Sequence, residues 1–159
     1  MEHLVIKSDI LFYQYGELPE DARQLVDEAK EATYGSYSPY SNFCVGAALR
    51  LADGAVVKGA NQENASFPVT MCAERAAIFN AQSNRPDQAV TAIAIAARNA
   101  RGFVVEPVSP CGVCRQAMLE LEQRYGRKIT VYLYGQKGVY AVDGAGALLP
   151  LSFVDGSMR

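Results

Sequence analysis

Cys72-Ala73-Glu74-Arg75, answered downstream by Pro110-Cys111-Gly112-Val113-Cys114, is the stretch from which the rest of the chain is read. Taken singly, each cysteine reads as a small buried hydrophobe, and a lone C-x-x-C fits redox chemistry as well as a metal. Taken together, three cysteines and a glutamate are the parts of a zinc site. Three thiolates fill three of four tetrahedral positions and leave one for water, as in catalytic rather than structural zinc. Water held there ionises near neutral pH, at roughly pH 7. Glu74, two residues from a ligand, is placed to move protons to and from it.

Both halves of the pattern sit where helices should begin. The spacing of Ala73, Ala76, Ala77 and Ala81 predicts a helix over Ala73–Asn84, and that of Val113, Ala117, Leu121 and Tyr125 predicts one over Gly112–Tyr125. Helix N-termini carry partial positive charge, which favours thiolates. Side chains lean toward the N-terminus, so first-turn residues of two helices can reach a shared ion.

Outward from the two helices, the chain alternates helices with strands. Pro19 fits a first helical turn, and Ala22, Leu25, Val26, Ala29 and Ala32 continue at helical spacing to a stop at Gly35. Ser36–Asn42 reads as a loop. Phe43–Leu51 and Ala55–Gly59 read as strands joined by Asp53-Gly54, a strong two-residue hairpin signal. Ala89–Ala97 is an almost unbroken apolar run, the mark of a strand covered on both faces. Arg98–Gly102 reads as a loop, Ile129–Tyr134 and Val139–Val142 as closing strands, and Gly144–Gly146 as a turn. Leu148–Phe153 is an apolar tail, and Val154–Arg159 is expected to fray. Leu4–Ile6 and Ile10–Tyr15 read as short strand or extended segments packing at the domain edge. The order implies a sheet with helices packed on it, an α/β layered domain of mixed strand direction.

At 159 residues, half of them hydrophobic and a fifth charged, the chain reads as one soluble domain over 1–159, with residues 1–20 an N-terminal extension. A net charge of −2, with no basic run beyond two adjacent cations, argues against a nucleic-acid partner. No stretch approaches the ~20 apolar residues that span a membrane. Met1–Asp9 lacks a signal-peptide pattern, which implies a cytoplasmic protein and a metal rather than a disulfide use for the cysteines. His3, the single histidine, reads as a solvated side chain, and Cys44, outside the pattern, as a buried thiol.

The chain resembles a cytidine deaminase of the small, all-cysteine, homotetrameric zinc type. The resemblance runs from about Ala22 to Phe153. It rests on S-P-Y-S-N-F-x-V-G-A-A (38–48), N-x-E-N-A (61–65), C-A-E-R (72–75), S-P-C-G-x-C-R-Q (109–116) and L-L-P-x-x-F (148–153). It implies a three-layer α/β/α domain with a mixed five-stranded sheet. It also implies zinc held by Cys72, Cys111 and Cys114, Glu74 as the proton shuttle, and hydrolytic deamination of cytidine and deoxycytidine. By the same resemblance, Asn61 and Glu63 contact the ribose hydroxyls, Phe43 packs on the pyrimidine, and the Ala73 backbone N–H donates to the base's O2. Arg75 is implied to hydrogen-bond ligand sulfur, and Phe153 to reach a neighbouring subunit's site. An amide and a carboxylate two apart in an extended segment do point the same way. Gln116 is near the site in this pattern but receives no role. Two features depart from it: the first ~20 residues exceed the common core, and Phe67-Pro68-Val69-Thr70-Met71 replaces a more usual tyrosine-containing stretch before C-A-E-R.

Other readings stand beside this one. A nucleic-acid editing deaminase needs a cationic surface and usually carries histidine where Cys72 stands. A deaminase of a related aminonucleoside is weakened by N-x-E-N-A. A non-catalytic, zinc-stabilised binding module needs a fourth protein ligand, for which Cys44 is the spare cysteine.

Overall fold

An apolar strand flanked on both sides is the axis of the molecule. The computed structural model describes residues 1–158 and runs in the order β1 (Ile10–Tyr13), α1 (Glu20–Ala32), β2 (Cys44–Leu51), β3 (Val56–Ala60), α2 (Ala73–Asn84), β4 (Val90–Asn99), β5 (Gly102–Phe103), α3 (Gly112–Tyr125), β6 (Thr130–Gly135), β7 (Gly138–Asp143). The sheet order is β1-β7-β6-β4-β2-β3, with β5 pairing β4. The β4–β6 pair is parallel, its two strands joined through α3, and the other pairs are antiparallel.

The strand alternation separates two cores. Ala47, Leu49, Ile93, Ile95, Val131 and Leu133 face α2 and α3, whereas Ala48, Ala92, Ala94 and Ala96 face Ala22, Leu25, Val26 and Ala29 of α1. The α1 face is lined with small residues because the helix lies close to it. A Cβ at Gly46 would stand 2.2 Å from the Ala29 carbonyl oxygen. The opposite face holds α2 equally close: a Cβ at Gly59 would stand 2.5 Å from the Ala73 carbonyl oxygen.

The expected three layers are present, but the sheet has seven strands rather than five. The additions are β1, from the N-terminal extension, which pairs with β7 through Ile10↔Val142 to Tyr13↔Val139, and the two-residue β5. The expected loop at Arg98–Gly102 is instead the end of β4 turning tightly into β5, with Gly102 at φ 107 allowing the reversal. Leu4–Ile6 forms no strand, because its backbone finds no sheet partner among the described residues, and its side chains are exposed. Asp53-Gly54 turns the β2–β3 hairpin, with Gly54 at φ 86. Asp155–Met158 is a short 3-10 turn rather than a frayed end, while Arg159 lies outside the described residues. No described helix is long and apolar enough to cross a membrane.

In α3 the buried residues are Cys114, Met118, Leu119 and Leu121, which share only Leu121 with the expected stripe, and Val113 is 60% exposed. Both stripes fit a 3.6-residue period. The thiol of Cys114 decides between them, because it must reach inward to the other two cysteines.

Candidate active site

Cys72 and Cys111 occupy the N-cap positions of α2 and α3, with extended backbone at φ −73, ψ 151 and φ −66, ψ 164. Glu74 follows in the first turn of α2 and Cys114 in that of α3. The two helix starts meet, so their unpaired N–H groups and partial positive charge converge on the same point. The Sγ atoms of Cys72 and Cys111 are 3.9 Å apart and those of Cys111 and Cys114 3.5 Å, all three within 4.8 Å of one another. Tetrahedral zinc with bonds of about 2.3 Å needs sulfurs about 3.8 Å apart, so this donor set fits the ion. None of the three is in a disulfide. Cys44 lies outside the cluster, half-buried with its Sγ 3.3 Å from Ser38 Oγ, and so does not supply a fourth ligand.

Electrostatics sort the groups. Contact with Cys114, and then the Arg75 guanidinium, pull the Cys72 thiol well below its ordinary range. The same contact, with burial, pushes Cys114 up. Arg75 Nη2 donates to Cys72 Sγ at 3.6 Å and to the Thr70 carbonyl at 3.5 Å. Its Nε is buried without an acceptor. Glu74 is 5% exposed, and burial, reinforced by the charge of Cys72, holds its carboxyl above the usual carboxylate range.

A second strip of backbone supplies the other wall. Asn61-Gln62-Glu63 is held on both sides: Gln62 exchanges N–H···O bonds with Met71 at 2.9 Å each, and Glu63 N donates to the Tyr37 carbonyl at 2.8 Å. Asn61 and Glu63 therefore face the same cavity, as their spacing predicts. That cavity has a volume of about 200 Å³ and is lined by both residues together with Cys72, Ala73, Glu74 and Cys111. Val45, Thr70, Met71, Ile95, Val108 and Ser109 complete it. Met71 and Ser109 stand beside the two motifs, but nothing in the sequence marks Ile95 or Val108, which arrive from the sheet and from the loop before α3.

Asn61 is more occupied than its sequence position implies. Its Oδ1 accepts from Val45 N at 2.8 Å and Ser36 Oγ at 2.6 Å, and its Nδ2 donates to the Phe43 carbonyl at 2.9 Å. Glu63 Oε2 accepts from Tyr40 N at 2.8 Å and Ser41 N at 3.3 Å. Hydrogen bonds from Ser41, then Tyr40, keep that carboxyl below its usual range. Together the two side chains tie the Ser36–Asn42 loop to the cavity rim. Phe43 is half-buried and flanks this rim without lining the cavity. Phe153 is 61% exposed and also outside the cavity, its carbonyl accepting from Gln116 Nε2 at 3.0 Å on α3.

Comparison with known proteins follows the same lines. Residues 19–130 match the family model described as the cytidine and deoxycytidylate deaminase zinc-binding region. A cytidine deaminase of Halalkalibacterium halodurans is 45% identical over 140 residues, which cover 87% of this chain and 98% of that protein. One from Sporosarcina psychrophila is 40% identical over 133 residues, covering 84% and 91%. Among solved structures, the cytidine deaminase of Burkholderia pseudomallei superposes with a TM-score of 0.71 at 41% identity, covering 86% of this chain and 100% of that one.

Proposed function

The chain belongs to the cytidine and deoxycytidylate deaminase family, and from that premise we propose that it hydrolyses cytidine and deoxycytidine to uridine and deoxyuridine, releasing ammonia. The observation that carries this reading is the buried Glu74 carboxyl beside three converging thiols, at a cavity whose opposite wall carries Asn61 and Glu63. Cys72, Cys111 and Cys114 would hold zinc and leave one position open. Zinc, when bound, supplies Lewis-acid activation of water near neutral pH.

The rest is the work of the chain. Glu74 takes a proton from the attacking water and delivers it to N3 of the ring as C4 is attacked. It then carries the second proton to the amino nitrogen, which leaves as ammonia while the C4 carbonyl forms. Its raised pKa suits it to both steps, since a carboxyl with higher proton affinity is a better base and still returns the proton. The Ala73 N–H, free of a helical partner in the first turn of α2, donates to O2 of the base. Glu63 receives a ribose hydroxyl: a carboxylate offers about four acceptor sites, and the Ser36–Asn42 loop does not use them all. Asn61 has one N–H left for the sugar and otherwise positions Phe43, whose ring packs on the pyrimidine. Arg75 draws charge from the Cys72 sulfur and so sharpens the acidity of the site.

The assembly inferred is a homotetramer in the cytoplasm, serving pyrimidine salvage. Support comes from the outer side of α2 and α3, where exposed Phe79 and Val113 flank a groove beside the Phe153 tail. Loss of cytidine absorbance and matching release of ammonia on incubation with the zinc-loaded protein test the reading. Turnover is expected with both nucleosides and is expected to stop with a strong chelator. A protein that holds zinc and leaves cytidine intact would overturn it.

A further inference from the structure

Ahead of the region shared with the family, the chain reads Leu4-Val5-Ile6-Lys7-Ser8-Asp9-Ile10-Leu11-Phe12. Two apolar triplets flank a Lys-Ser-Asp centre, so the segment is close to self-complementary when turned end for end. We propose that it pairs antiparallel with the same segment of a second copy, about a two-fold axis at Ser8, and joins the two sheets edge to edge.

The structure leaves both triplets unsatisfied. β1 pairs with β7 along one side only, and its other side is the open edge of the sheet. Ile10, Leu11 and Phe12 are 51%, 59% and 49% exposed although they belong to a strand. Leu4, Val5 and Ile6 are 73%, 61% and 49% exposed. Ser8 Oγ donates to the Ala147 carbonyl at 2.6 Å, which tethers the centre of the segment at the sheet edge. An open apolar edge is a template for another strand, and proteins normally cover or charge it.

Pairing about Ser8 puts Ile6 opposite Ile10, Val5 opposite Leu11 and Leu4 opposite Phe12 of the second copy. Directly opposed residues share a face. Leu11 borders a shallow apolar cavity of about 250 Å³ with Tyr13 and Tyr132, on the α1 side, and Val5 of the second copy would stand beside it. Phe12 lies on the other face against Tyr140, ring centroids 5.5 Å apart, where Leu4 of the second copy would add to the stack.

Charge fixes both the partner and the register. About Ser8, Lys7 of each copy opposes Asp9 of the other, two favourable cross-strand pairs from one two-fold axis. Sliding by two residues sets Lys7 against Lys7 or Asp9 against Asp9, which is repulsive. A second copy of this chain supplies that complement in the same order.

The test uses the zinc-loaded chain with Ser8→Cys, oxidised mildly and run without reductant beside the chain that keeps Ser8. A covalent dimer is expected only with cysteine at 8. Adding Lys7→Asp, or separately Asp9→Lys, makes all facing charges alike, and the dimer is expected to be lost. Mixing the Lys7→Asp and Asp9→Lys chains pairs opposite charges again, and the cross-link is expected to return, between unlike chains. Zinc content verifies that each variant is folded. Absence of the cross-link, or a cross-link indifferent to the charge reversals, would overturn the proposal and leave the segment on its own subunit.

Discussion

Glu74 combines two properties that rarely coexist at a surface: it is a carboxyl with almost no water around it, and it stands one turn from three thiols. Glu74→Gln keeps the shape and the cluster but cannot accept a proton. Zinc content is expected to be unchanged while turnover falls about 10²–10⁴-fold, the usual worth of a positioned acid/base. A variant that binds zinc and turns over normally removes Glu74 from the mechanism. Arg75 acts through another residue, by donating to Cys72 Sγ at 3.6 Å. Arg75→Ala is expected to lower kcat about 10–100-fold, with KM changed less, as for other partners of metal ligands. Because the thiolates then donate more charge, the acidic limb of the pH–rate profile should move to higher pH. An unmoved limb would leave Arg75 a merely structural side chain. The three-cysteine cluster was legible in the sequence because zinc chemistry demands particular donors at particular spacings, whereas the contact of Arg75 with Cys72 Sγ was implied only by the family resemblance. Asn61 was legible only in part. Its place on the cavity wall follows from its separation from Glu63, but its hydrogen bonds to Ser36, Phe43 and Val45 come from chain segments that only folding brings near.

Elements place these side chains by close approach. The start of α2 rests on β3 at Gly59, where an added Cβ would meet the Ala73 carbonyl oxygen and the Ala77 nitrogen at 2.5 Å. Both are backbone atoms of the turn that carries Glu74, so they cannot yield without moving the site. Gly59→Ala is expected to cost roughly 1–3 kcal/mol of stability, the usual range for overpacking, and to weaken zinc retention as well. Gly46→Ala crowds α1 instead, on the far face, and should cost stability with little effect on zinc. Denaturant midpoints and zinc content measured on both variants separate the two. The loop before α1 carries a pH signal. Burial first, then the hydrogen bond to Asp27, raise the Tyr15 hydroxyl from 10.0 to about 12. The folded state therefore holds this proton more tightly, and the stability it brings is complete below pH 10 and lost as pH rises towards 12. Tyr15→Phe should flatten the denaturant midpoint across that window. Element identity was legible where periodicity and length agreed: α2 and α3 begin and end where the sequence predicts. The buried face of α3 was not, because two adjacent stripes satisfy the same period. β5 was hidden for a simpler reason, since two residues are too few to show any alternation.

At the scale of the whole molecule, the two helix layers differ on their outer sides: α1 exposes Glu20, Asp21, Gln24, Asp27 and Glu31, which are polar. The outer side of α2 and α3 exposes Phe79 and Val113, and the C-terminal tail adds Leu151, 84% exposed, and Phe153. Phe79 and Val113 border one groove, and an exposed apolar patch of this kind marks an interaction face. Gln116 holds the Phe153 carbonyl to α3 at 3.0 Å, so the tail is anchored beside that face while its exposed ring stays outside the cavity. A tail so placed can complete a neighbour's site, and closed symmetry lets every copy give and receive one. An aromatic ring arriving across the interface would cover the bound base and exclude water from it. Phe153→Ala is then expected to weaken cytidine binding while each chain keeps its zinc. The decisive measurement mixes Glu74→Gln chains with Phe153→Ala chains, each nearly inactive alone, after dissociation and reassembly. If sites are shared, some receive an intact Glu74 from one chain and an intact Phe153 from its neighbour, and activity should reappear in proportion to the mixed assemblies. If Phe153 serves only its own subunit, no mixed site is whole and mixing restores nothing. Light scattering on the wild-type chain sets the condition for both outcomes, since a fully active monomer would exclude any shared site.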